Sequence, residues 1–140
     1  TKAKLLKSQL NYHLSGDKIL PIYSTSTIYS YSANLNDLND VIFTDAPWVI
    51  DQQIWLKNLP LILRQYWPGD AIQSRQNAMG YDAYFLVAAL NSLKNNSMQE
   101  LNGATGQLYM EEDGRIRRRL AWAQLINGHP EVQEQEKREK

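Results

Sequence analysis

The sequence predicts an α/β fold, and three observations carry that reading. Short apolar runs of strand length alternate with segments of helical period. One long segment, NAMGYDAYFLVAALNSLKNN, repeats its apolar residues at three and four. After it, an Asp-Gly pair separates two strand-like runs, the pattern of a hairpin.

In chain order, Leu5, Leu6, Leu10 and Leu14 with lysines between them predict an amphipathic helix over residues 2–14, stopped by Ser15-Gly16-Asp17. Ile19, Leu20, Ile22 and Tyr23 form a strand-length run. Pro21 inside it makes the strand short or places it near an edge. STSTIYSYSANLNDLND is loop with one helical turn, and Val41-Ile42-Phe43 is a second buried strand ending in Asp45-Ala46-Pro47-Trp48. A helix is expected from Gln53 to Tyr66, divided at Pro60, with a turn at Trp67-Pro68-Gly69-Asp70. In the long helical segment Met79, Ala83, Leu86, Val87, Leu90 and Leu93 make a wide apolar girdle, which predicts deep burial. A two-residue turn at Asp113-Gly114 would set Glu112 opposite Arg115 and Glu111 opposite Ile116. Continuing the strand puts Ile116, Arg118, Leu120 and Trp122 on one face. Arg115, Arg117, Arg119 and Ala121 take the other. Residues 131–140 are charged and aperiodic, a flexible tail. Only two central strands are visible, too few for a sheet covered on both faces, so the chain reads as the second half of a larger α/β domain.

The 140 residues are 43% apolar and 21% charged, which is globular. Fifteen basic and fifteen acidic residues cancel, so nothing global points to nucleic acid, which would want a basic balance with interleaved exposed aromatics. No apolar run approaches a membrane span of ~20 residues. The absence of cysteine removes disulfides, zinc thiolates and thiol nucleophiles.

Gly103-Ala104-Thr105-Gly106 is the first candidate site. A phosphate loop needs a following Gly-Lys-Ser/Thr, and a dinucleotide fingerprint needs a strand before and a helix after; neither context is present. The glycines read as a tight entry into the hairpin. For the arginines two readings stand: a solvated strand face with charge pairs, or a partner surface made of Arg115, Arg117 and Arg119. His13 and His129 sit in no metal-ligand spacing. Asp37, Asp40 and Asp45 match no calcium loop. No Gly-x-Ser-x-Gly elbow is present, and no nucleophile, base and orienter can be assembled, so neither an enzyme nor a cofactor or metal site is expected. Tyr23, Thr25, Asp45, Trp48 and Tyr81 fall near strand ends or on the long helix. There an α/β fold could line a ligand cleft, although each also fits ordinary packing.

Tyr23-Ser24-Thr25-Ser26 after a strand, DAPW at residues 45–48, GYDAYFLVAAL at 80–90 and LNGATGQLYMEEDGRIRRRLAWAQ at 101–124 occur in this order. The series resembles type I periplasmic binding proteins, and its NGATG, DGRI and RxLAWAQ elements resemble one branch of them, the LppC family. The resemblance covers residues 1–130 or so. It implies a three-layer, two-lobed α/β domain of which this chain is the C-terminal, incomplete part. Residues 1–44 would belong to the second lobe, 45–49 to a crossover, and 50–130 mainly to the first lobe. It implies an outer-membrane lipoprotein of the periplasm whose lipid anchor and helical-repeat domain lie upstream. Such a protein activates a class A penicillin-binding protein, and so peptidoglycan synthesis, by contact and not by catalysis. The alternative is a small-molecule receptor that closes on an amino acid or cell-wall fragment. The hydroxyls of residues 23–26 resemble a ligand loop but also fit a helix N-cap.

Overall fold

The computed structural model describes residues 2–13, 20–30, 33–50, 62, 65–66, 74–96 and 99–133. The helix expected over 53–66 and the turn at 67–70 lie almost wholly outside these. The chain forms two compact units, one of Thr1–Thr44 with Trp122–Lys140, the other of Asp45–Ala121.

The first unit opens with helix α1, Lys2–His13. It buries none of its residues, and Leu5 and Leu6 are exposed. What ties it down is polar: Lys4 Nζ meets Asp37 at 2.7 Å and Lys7 Nζ donates to the Asn39 carbonyl. Strand β1, Ile22–Ser24, starts after Pro21 and runs parallel to β2, Val41–Asp45, with Ile22 opposite Val41. β1 is an edge strand of a four-stranded sheet in which β2 is its neighbour, which is where a proline can abut a strand without breaking a ladder. Two single-turn 3₁₀ segments, Ser26–Ile28 and Asn36–Leu38, lie between the strands. Alternation along β2 buries Val41 and Phe43. Tyr29 stacks on Phe43 at 5.7 Å, and Leu35, Leu38, Ala123 and Leu125 are buried in the same core.

The same sheet contains β6, Ala121–Ile126, and β7, His129–Gln133, joined by a two-residue turn with Ile126 opposite His129. Asn127 and Gly128 both have positive φ, 52° and 77°, the requirement of a type I′ turn. Trp122–Lys140 groups with Thr1–Thr44 and not with Asp45–Ala121. Residues 131–133, expected in the charged tail, pair within β7, and residues 134–140 lie outside the described residues.

The second unit contains the short helix α2, Pro47–Ile50, and helix α3, Arg75–Asn95, whose start is capped by the Ser74 hydroxyl accepting from the Asn77 N–H at 3.1 Å. A three-stranded antiparallel sheet follows, β3 (Leu101–Gly103), β4 (Gly106–Met110) and β5 (Ile116–Arg119), in that order. α3 buries only Ala78, Asp82 and Leu93. The deep burial expected of its apolar girdle is therefore not observed. Met79, Val87 and Leu90 stay exposed, Val87 to 75%.

The hairpin register also differs by one residue from the expected one. Met110 opposes Ile116 and Tyr109 opposes Arg117, so Glu111 faces Arg115 across a three-residue loop. Gly114 N donates to the Glu111 carbonyl at 2.9 Å and Glu111 N to the Arg115 carbonyl at 2.9 Å. Only Gly114, at φ 82°, takes the left-handed conformation, so the connection is a type I turn with a bulge at glycine. The Asp113 side chain accepts from Arg115 N at 3.0 Å, which favours that conformation over type I′. The strand then breaks at Leu120, where the chain leaves one sheet for the other.

Candidate functional site

Helical period carries Ala78 and Asp82 to the side of α3 that faces the strands. Opposite them, Gly103 pairs with Gly106, so Ala104 and Thr105 make the tightest connection between β3 and β4. Their two N–H groups converge on one point. The Asp82 carboxylate occupies it: Oδ1 accepts from Ala104 N at 2.6 Å, and Oδ2 accepts from Thr105 N at 2.8 Å and from Thr105 Oγ1 at 2.5 Å. Asp82 is 4% exposed. A carboxylate so buried is tolerated only when donors replace its water, and here three do. The Ala104 carbonyl is used as well, by Trp48 N at 3.1 Å. The Gly-x-x-Gly segment is thus an anion cradle by geometry, and its occupant is the protein's own side chain. Gly106 has φ 141°, and a Cβ there would lie 2.2 Å from the Arg119 carbonyl oxygen. The hairpin crosses itself too closely for any side chain.

The expected cleft residues divide between the units. Tyr23 and Thr25 belong to the first, Asp45, Trp48 and Tyr81 to the second. Tyr23 packs edge-on against Trp122 at 6.1 Å. Thr25 stands at the start of the first 3₁₀ segment without capping it; its hydroxyl meets that of Thr27 at 2.8 Å. Asp45 is 1% exposed and fully engaged. Its Oδ1 accepts from Ala46 N and from Arg75 Nε, both at 2.8 Å, and its Oδ2 from Arg75 Nη2 at 2.6 Å. This two-point fork and the burial engage the Asp45 carboxylate internally. The hydrogen bond to Asp45 raises the Arg75 guanidinium above its ordinary pKa. Trp48 and Tyr81 are neighbours, ring centroids 6.0 Å apart, and Tyr81 stacks on Phe85 at 6.4 Å.

The arginines expected as a partner surface each have a carboxylate at hand. Arg115 meets Asp113 at 2.9 Å, Arg117 meets Glu111 at 2.9 Å and Arg119 meets Glu100 at 3.2 Å. Arg119 also lies 5.6 Å over the Tyr109 ring, and the hydrogen bond that Arg117 donates to Glu111 raises the Arg117 pKa. Arg118, opposite Leu108, and Arg117 both border a groove of about 460 Å³ that is also lined by Met79, Ala83, Leu86 and Ile116. Sequence reasoning missed Asp82 and Arg75. The signal for Asp82 was its place one residue after Tyr81 in the helix that precedes a Gly-x-Thr-Gly turn; nothing local marks Arg75.

Short parallel strands, a long helix and a closing hairpin, with buried carboxylates spent on scaffold, define a class: an α/β domain of the periplasmic-binding-protein kind. A structure described as a putative branched-chain amino acid ABC transporter from Chromobacterium violaceum superposes with a TM-score of 0.53 at 28% identity, over 88% of this chain and 38% of that one. The chain belongs to the LppC family, whose model, "LppC putative lipoprotein", matches residues 1–128. The "Penicillin-binding protein activator LpoA" of Vibrio antiquarius is 28% identical over 126 residues, and that of Erwinia tasmaniensis 27% over 130. Each match takes in 89% of this chain, but 20% and 18% of the respective relatives, so the chain spans about a fifth of their length. The C-domain of LpoA (YraM) from Haemophilus influenzae, "a regulator of PBP1A", has the same fold, with a TM-score of 0.72 at 24% identity over 94% of this chain and 41% of that one.

Proposed function

We propose that this chain is part of a non-enzymatic regulator of peptidoglycan synthesis that binds and activates a class A penicillin-binding protein from the outer membrane. The observation that carries the reading is the family match across residues 1–128, with relatives named as penicillin-binding protein activators. The site chemistry supports contact over turnover: Asp82 and Asp45, two buried carboxylates, are both consumed by internal donors. In this reading the two compact units are parts of two lobes. The protein works in the periplasm, tethered to the outer membrane by a lipid anchor outside these 140 residues. A contact face made of Arg115, Arg117 and Arg119 would act through rim charges, which set association rate and salt dependence more than affinity.

The second reading is a small-molecule receptor, favoured by the fold likeness to the transporter protein. It would have to use Tyr23, Thr25, Trp48 and Tyr81 without the Asp45 carboxylate. Calorimetric titration separates the two. Saturable heat with the periplasmic region of a class A penicillin-binding protein, and none with amino acids or muropeptides, is the expected outcome. The reverse pattern would replace the regulator by the receptor.

A further inference from the structure

The sequence contains two Asn-Gly pairs, Asn102-Gly103 and Asn127-Gly128. This dipeptide is prone to spontaneous deamidation, because glycine, lacking a Cβ, leaves the following backbone nitrogen open to the asparagine side chain. The two pairs sit in different surroundings. Asn102 lies in the β3–β4 ladder, opposite Gln107. Asn127 is exposed and opens the turn between β6 and β7. Other residues fit that turn badly. Both of its positions have positive φ, which favours Asn and Gly, and a Cβ on Gly128 would run into Asn36. The fold thus demands the reactive pair.

It also supplies a partner for the reacting atom. Gly128 N donates to Asn39 Oδ1 at 2.9 Å. Asn39 is itself held in place. Its carbonyl accepts from Lys7 Nζ, and the N–H of the next residue, Asp40, donates to the Leu125 carbonyl at 2.8 Å. All of these residues belong to the first unit. We propose that Asn127 is a deamidation site and that Asn39 is the positioning residue that keeps it slow. In the reaction Gly128 N attacks Asn127 Cγ and the Cγ–Nδ2 bond breaks. The Gly128 amide proton leaves with Nδ2 as ammonia, and water then opens the succinimide to aspartate or isoaspartate. The attacking nitrogen must first give up its proton. Donating that proton to Asn39 makes the nitrogen less acidic and fixes its peptide plane. The isoaspartyl product would lengthen the main chain inside the turn and part Ile126 from His129. This inference does not rest on the regulator reading.

To test it, the full-length protein would be incubated at mildly alkaline pH, digested and mapped by mass spectrometry for conversion at Asn127 and Asn102. In the wild-type protein Asn127 should convert at least about tenfold more slowly than in the urea-unfolded chain. Asn39→Ala should raise the native rate at Asn127 about fivefold, the worth of one hydrogen bond, and leave Asn102 unchanged. Asn39→Asp keeps an acceptor oxygen and should stay near wild type. Equal native and unfolded rates in the wild-type protein would overturn the proposal without any variant having to fold. An unchanged rate at Asn127 in Asn39→Ala would also overturn it. So would parallel acceleration at Asn102, which marks general loosening. An Asn39→Asp variant as fast as Asn39→Ala would show that the acceptor oxygen is not the guard.

Discussion

The Gly103–Gly106 turn and the tip of the hairpin around Asp113-Gly114 are built on the same strand, β4, and both pair carboxylates with donors. At the turn the carboxylate is buried, its donors are two backbone N–H groups and a hydroxyl, and no water can take their place. At the tip the pairs Arg115–Asp113 and Arg117–Glu111 lie in solvent, where water competes for every partner and salt screens the charge. The same chemistry therefore sets structure in one place and decorates it in the other. The Gly-x-x-Gly segment, a tight entry into the hairpin, is scaffold closed on an internal anion, whereas the tip pairs are open to exchange with water.

Asp82→Ala should have the largest effect. It leaves two buried N–H groups without acceptors, and a loss of about 3 kcal/mol is expected in denaturant unfolding. Gly106→Ala comes next, at about 2 kcal/mol or more, because the left-handed backbone and the Arg119 carbonyl both reject a Cβ. A melting temperature equal to wild type would show that the strands can part there at no cost. Asp45→Ala should cost about 1–2 kcal/mol, less than Asp82 because Arg75, 41% exposed in its side chain, can turn to water. Arg117→Glu with Arg119→Glu should move the melting temperature by no more than about 2 °C. In the regulator reading it should also weaken enzyme binding at low salt, and an unchanged affinity would assign this face to solvent alone.

The smallest effect lies in the first unit. The hydrogen bond and charge of Lys4 hold the Asp37 carboxyl below its ordinary pKa. A group depressed in the folded state stabilises above its unfolded value and loses that contribution as pH falls through the folded one. Lys4→Met should therefore flatten slightly the acid limb of stability below about pH 4. A limb identical to wild type would show that the pair contributes nothing.

Much of the fold was legible because its signals are local. Apolar runs marked β1 and β2, and a three-four period marked α3. The misread parts depend on context. Asp113-Gly114 and Asn127-Gly128 are both hairpin dipeptides. The first opens into a three-residue loop because the Asp113 side chain bonds back to Arg115 N. The second makes the tight I′ turn, with Gly128 N held by the Asn39 side chain at 2.9 Å, and it opens β7, whose residues 131–133 carry the charge of a tail and no apolar period to mark a strand. A pattern of Met79, Val87 and Leu90 states that a helix side is apolar, not what will cover it. Asp82 and Arg75 act through partners more than twenty residues away in sequence, and single-sequence spacing does not carry such pairings.

The central claim is that Asp82 fills the Gly-x-Thr-Gly cradle, and amide hydrogen exchange at Ala104 and Thr105 tests it most directly. Asp82→Asn keeps the shape but turns one acceptor into a donor. Both amides should be protected in the wild-type protein and lose about 100-fold of that protection in the variant, ahead of the rest of β4. Equal protection in the two proteins would mean that the cradle is held closed by something other than this carboxylate.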